Sequence, residues 1–219
     1  MKKNIRSILC LMIVISTLFF VPILSGSPKL NNKNEQSFSF FIGGGYKNFL
    51  PAQDTFNALY DSSNGLIIDA GMKLDLDGDF YINAEVYFIS KAGERVWVSS
   101  EGITIKTGIS EDLTLVPLTA TLGFYLMKSN DVQVYIGAGA GFYLIQIDCE
   151  VDTYDRNESG TGFFGTLGAD YFLSDSIYLN IEAKYEIVKG LIGDTGVPAI
   201  FEEDDLGGII IMGKIGFRI

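Results

Sequence analysis

Tyr135-Ile-Gly-Ala-Gly-Ala-Gly-Phe-Tyr143 alternates two kinds of residue with a period of two. Extended to Gln133–Leu144, one face is Val134, Ile136, Ala138, Ala140, Phe142 and Leu144. The other is Gln133, Tyr135, Gly137, Gly139, Gly141 and Tyr143. Successive strand side chains point to opposite faces, so this is a β-strand with one apolar face and one face of polar, aromatic and glycine residues. The same scheme recurs over 37–47, 66–75, 80–91, 116–126, 162–173, 177–188 and 209–219, which makes eight strands. In each of them one face is free of charge.

The connections supply the topology. Asp75 to Asp79, Lys128 to Asp131 and Ser174 to Ser176 are tight turns by their Asp, Asn, Ser and Gly content. The links 48–64, 92–112, 148–159 and 191–207 are long. Short turns alternating with long loops predict an all-β protein, an eight-stranded antiparallel up-and-down transmembrane β-barrel over 37–219. A soluble eight-stranded barrel also alternates, so the direction of each face decides the class. Phe80 and Phe88, like Phe163 and Tyr171, lie eight residues apart on the charge-free face. At ~3.3 Å per residue and a tilt near 40° that is roughly 20 Å along the axis, the spacing of two aromatic girdles. Phe40, Tyr46, Phe124, Phe142, Tyr185 and Phe217 fall near the same levels. Ten strand glycines lie on the polar face and three on the apolar one; small residues make room inside a narrow bore. The apolar face therefore meets lipid.

By this phase the interior holds Asp69, Glu85, Asp170, Glu182 and Glu186 with Lys73, Lys91, Lys184, Lys214 and Arg218. Charges in a low-dielectric bore are tolerated when paired, so equal numbers predict an ionic network that fills the lumen. Ile67, Phe41, Ile89, Phe164, Phe172, Ile210 and Met212 share that face and read as scattered among the charges.

The chain begins with Lys2, Lys3 and Arg6, an apolar run from Ile8 to Val21, and a helix-breaking, small-residue stretch from Pro22 to Ser27. This predicts a secretory signal over 1–26, with the mature start between Ser27 and Lys33. Removing it leaves thirteen basic against twenty-seven acidic residues, a net charge of −14, which argues against a nucleic-acid partner. Cys10 lies in the signal, so Cys149 is left without an intrachain disulfide.

The strands 116–125 and 135–143, with the closing Gly213-Lys-Ile-Gly-Phe-Arg-Ile219, resemble the small outer-membrane barrel superfamily of OmpA-type, OmpX-type, OmpW-type and opacity-type proteins. The resemblance covers 37–219. It implies a bacterial outer-membrane location, surrounding lipid, and assembly by the barrel insertion machinery, with long loops extracellular and both termini periplasmic. The family usually ends on an aromatic; here the last residue is Ile219, with Phe217 two before it. The expectation is a barrel without the peptidoglycan-binding domain of the full OmpA architecture.

The barrel enzymes of this scaffold rely on histidine as general base or activator, and the chain has none. Glu182 and Glu186 flank Lys184 on one face and read as part of the interior network. The protein is expected to be non-enzymatic, without cofactor. Its loops are acidic: Asp148, Glu150, Asp152, Asp155 and Glu158, then Glu202 to Asp205. They read either as a solvated rim or as a divalent-cation site. Phe49, Phe56, Leu59 and Tyr60, near helical spacing, predict a short amphipathic helix on the membrane surface or over the barrel mouth. Trp97 and the run 103–107 suggest a hairpin that extends above the bilayer. Two functions remain: envelope integrity or surface adhesion through the loops, and OmpW-type passage of small apolar molecules.

Overall fold

The computed structural model describes residues 36–76, 78–99, 103–192 and 197–219, with only the backbone of Asp152. The signal expected over 1–26 lies outside the described residues. Eight strands follow: β1 Phe38–Asn48, β2 Asn64–Asp75, β3 Phe80–Val98, β4 Thr104–Lys128, β5 Val132–Cys149, β6 Arg156–Phe172, β7 Ile177–Ile187 and β8 Gly208–Arg218. Each pairs antiparallel with the next, and β8 returns to β1 to close the barrel. Closure removes the sheet edges that an open sheet would leave unpaired. Between β1 and β2 stand a 3-10 turn, Leu50–Ala52, and helix α1, Gln53–Tyr60; helix α2, Val197–Phe201, precedes β8.

Burial follows the expected faces. On the inner side Tyr81, Tyr87, Tyr143 and Tyr178 are buried, while outer-face Phe163 and Ile181 are 70% and 63% exposed. Glycine makes this filling fit: a Cβ at Gly123, Gly168 or Gly216 would run into the ring of Tyr81, Tyr135 or Tyr178. The three tight turns stand where the sequence put them, and Gly78 in the first takes φ 84, a conformation other residues rarely adopt.

Two of the long links are partly strand, the second as the extended hairpin that Trp97 and 103–107 suggested and the third against expectation. Most of 92–112 is paired as an extension of β3 and β4, from Ala92↔Asp112 to Val98↔Thr104, with an irregularity between Glu94 and Val96. β6 starts at Arg156, so half of the expected third loop is strand. Outside the bilayer both faces of a ribbon meet water, and the period-two contrast that marks a strand fades.

Candidate functional site: the filled lumen and its mouth

The half of the lumen nearer the short turns is ionic. Glu85 sits between Lys184 at 3.1 Å and Lys214 at 3.2 Å, and Lys214 also reaches Glu182 at 3.1 Å and Asp69 at 3.5 Å. Tyr135 donates to Glu182 at 2.8 Å, and Asn180 donates to Asp170, which pairs with Lys73. The Lys73 ammonium stands between 5.1 and 5.8 Å from the ring centres of Tyr178, Tyr135, Tyr125 and Tyr81, within cation–π range. These rings close the bore toward the short turns. Asp69 is less well served: it is buried, Lys214 stands 3.5 Å away, and among the described residues neither carboxylate oxygen accepts a well-formed hydrogen bond.

Eight of the ten charged residues assigned to the interior lie on buried inner-face positions of this network. The other two need comment. Lys91 does not join it. Its ammonium donates to the backbone carbonyls of Ser62 at 2.6 Å and Asn64 at 2.5 Å, clamping the end of the first loop. It shares the inner face by phase but sits too near the mouth. Arg218 lies at the rim, 3.7 Å from Asp75. Two members were missed. Lys47 pairs with Glu186 at 2.7 Å, both fully buried, and Asp75 accepts from the Ser37 and Tyr125 hydroxyls. Both occupy polar-face positions in the sequence, and that phase was the available signal.

The half nearer the long loops is apolar apart from the Lys47–Glu186 pair at its base. Phe49, Phe56 and Tyr60 pack among Ile67, Tyr87, Ile89, Leu113, Leu115, Ile145, Val188, Ile210 and Met212 in one buried cluster. Of the seven inward apolar residues expected to be scattered among charges, Ile67, Ile89, Ile210 and Met212 are instead gathered here, while Phe41, Phe164 and Phe172 do stand against Lys214, Lys184 and Arg218. The Phe49 and Phe56 rings stack at 4.0 Å. Of the two placements open for the loop helix, the structure shows the mouth. Helix α1 has no side-chain cap of its own; Glu203, from the loop before β8, accepts from the N–H groups of Asp54 at 3.0 Å and Thr55 at 2.8 Å. At its other end Tyr60 donates to Glu111 at 3.0 Å. Burial, and then the neighbouring Glu111 carboxylate, push the Tyr60 phenol well above its ordinary value.

The loop acids serve local bonds rather than a common centre. Asp155 accepts from the N–H of Cys149 at 2.8 Å, and Asp205 from Val188 and Gly207 at 2.7 Å each. Among the described residues, no three acidic, Cys or His side chains converge as a metal site would need. Cys149 is buried beside Glu111 and Arg95, and burial raises its thiol pKa, the setting of an unreactive cysteine. Of the ten residues assigned to girdles, Tyr46, Phe80, Phe124, Phe142, Phe163, Tyr171, Tyr185 and Phe217 are exposed on the outer face; Phe40 and Phe88 are half-buried. Phe40 and Phe217 are ladder partners, as are Phe80 and Phe124, near the short-turn end.

A closed ring of strands with an apolar exterior and a filled interior defines an integral membrane β-barrel. A family model described as "Outer membrane protein beta-barrel domain" matches residues 18–207, and the chain belongs to that family. Its place is the outer membrane. Among solved structures, a major outer membrane protein of Thermus thermophilus is 12% identical, with 84% of this chain and 99% of that chain covered and a TM-score of 0.55. Neisserial surface protein A is 12% identical over 84% of this chain and 95% of that chain, with a TM-score of 0.48. At 12% identity the likeness to the Thermus thermophilus protein is one of fold. A curated Rickettsia bellii (strain RML369-C) protein, provisionally named an outer membrane protein, is 27% identical over 84 residues, 38% of this chain. The match spans 33% of that relative's length.

Proposed function

We propose that the protein is a closed, non-enzymatic barrel whose role lies in what its long loops touch, in envelope integrity or surface adhesion. The observation that carries this reading is that neither half of the lumen is open: one is filled by paired charges and tyrosines, the other by Phe49 and Phe56. Residues 1–26 serve as the export signal, the insertion machinery assembles the barrel, the long loops face the outside and both termini the periplasm. Acidic residues of the outer rim make divalent cations a candidate bridge to neighbouring envelope components. Planar-bilayer recording tests the central point: the refolded mature chain should give no steady conductance of porin size, with at most small intermittent currents as pairs rearrange. Large stable channels would overturn it. Protease added to intact cells should cut only in the long loops.

A second reading, OmpW-type passage of small apolar molecules, has one observation in its favour: the mouth half of the lumen is a continuous apolar chamber. It requires α1 to leave. Apolar solute uptake that rises when α1 is deleted would support it over the first.

A further inference from the structure

The mouth encloses a cavity of about 80 Å³ that neither the ionic network nor the plug uses. Its floor is apolar, formed by Phe56 and Leu59 of α1 with Leu113, Ile145, Ile147 and Leu206. Charges stand on two of its walls and differ in kind. On the β3–β4 side they are matched: Arg95 and Glu111 pair at 3.3 Å. On β6 they are not.

Burial alternates along β6, with Asn157 and Ser159 exposed and Arg156 and Glu158 half-buried on the cavity side. In the ladder Arg156 lies directly opposite Ile147, and Glu158 opposite Ile145. The two residues carry opposite charges, and their backbone positions are about 6.6 Å apart along the strand. Among the described residues, neither side chain has an ion-pair or hydrogen-bond partner. Outward positions one residue away would have solvated both groups, whereas partly burying unpaired charge against isoleucine is unfavourable. Two unanswered charges beside an apolar hollow describe the complement of a ligand.

We propose that the cavity binds a free aliphatic amino acid. Its size fits this class: a hollow of about 150 Å³ admits a benzene ring, so one about half as large takes the few heavy atoms of a branched side chain. The ligand's carboxylate meets the Arg156 guanidinium, a geometry that favours two parallel hydrogen bonds. Its ammonium meets the Glu158 carboxylate, and its side chain fills the floor over Ile145 and Ile147. A purely apolar molecule would leave both charges unanswered, and a simple anion would leave Glu158 facing it. The site does not depend on whether the loops act in adhesion.

The test is a titration of the refolded barrel, methyl-labelled at isoleucine, with L-leucine by NMR. Saturable shifts of the Ile145 and Ile147 methyls at millimolar ligand are expected. Arg156→Gln and Glu158→Gln should each weaken binding about ten-fold or more, through the loss of charge-assisted hydrogen bonding at that end of the ligand. A folded barrel migrates differently in gels once boiled, which shows that each variant has folded. Isopentanol, with the same branched chain and neither charge, probes the unaltered protein. If wild type gives no saturable shift, or if isopentanol moves the same methyls with equal affinity, or if both variants bind leucine unchanged, the proposal falls.

Discussion

The two halves of the lumen fill the same narrow bore by opposite chemistry. Toward the short turns the strands themselves supply the filling, as Glu85 on β3, Glu182 and Lys184 on β7 and Lys214 on β8 reach toward one another. Toward the long loops the strands leave an apolar chamber that the first loop closes with Phe49 and Phe56. Charge pairing fixes each partner's position, because a misplaced group stays buried and unpaired at a cost of several kcal/mol. Apolar packing is more forgiving, so an added segment can do it. The ionic half therefore specifies the barrel's register, and the apolar half is the part that can be exchanged without losing the barrel.

The largest effect should come from breaking the ionic half. Glu85→Ala leaves Lys184 and Lys214 short of a shared partner and should cost ~3 to 5 kcal/mol in urea unfolding from lipid vesicles. Arg218→Ala should cost less, since Arg218 is at the rim and Asp75 keeps Ser37 and Tyr125. An unaffected Glu85→Ala would mean that water screens the network. Next comes the plug: Phe56→Ala should lose ~3 kcal/mol, the low end for a buried ring because a loop can relax around the gap. The double variant sharpens the contrast. Independent halves predict additivity within ~0.5 kcal/mol, whereas strong coupling would make them one unit joined through Lys47 and Glu186.

A smaller effect is expected where the plug is tied down. Glu203→Ala removes the acceptor for two N–H groups at the start of α1 and should cost ~1 to 2 kcal/mol. It should speed protease cleavage in the first loop while leaving cleavage elsewhere unchanged. Equal acceleration in the β3–β4 hairpin would show that the loops move together.

The membrane part of the fold was legible because lipid on one side and a packed bore on the other force a strict alternation, as in Tyr135 to Tyr143. Alternation gives a residue's face and says nothing of its height. Lys91 and Lys47 both sit on the inner face, yet one clamps a loop carbonyl and the other pairs with Glu186 on a strand 139 residues away. Height follows from the stagger between strands, which no single strand encodes. The gathering of Ile67, Ile89, Ile210 and Met212 into one chamber was hidden for the same reason. The plug was half legible: Phe49, Phe56 and Tyr60 marked an amphipathic segment, but its covering surface depended on a chamber assembled from distant strands. In the β3–β4 hairpin the signal itself was weak, since Trp97 and Ile105 face each other across a ribbon exposed to water.

The smallest predicted effect isolates the contact between α1 and the hairpin. Tyr60→Phe deletes one hydrogen bond to Glu111 and should cost ~1 kcal/mol at neutral pH. Its signature lies in alkali. The folded protein holds the Tyr60 proton more tightly than the unfolded chain, whose phenol titrates near 10. Above that pH the unfolded state carries fewer protons than the folded one, so the stability owed to Tyr60 falls as pH rises. The variant has no group there to titrate, and the remaining tyrosines are common to both proteins. Protection of the first loop from protease, followed from pH 8 to pH 11, should therefore favour wild type at first and then converge on Tyr60→Phe. A gap that stays constant across that range would show that the Tyr60–Glu111 contact does not hold the plug, leaving its docking to Phe49 and Phe56 alone.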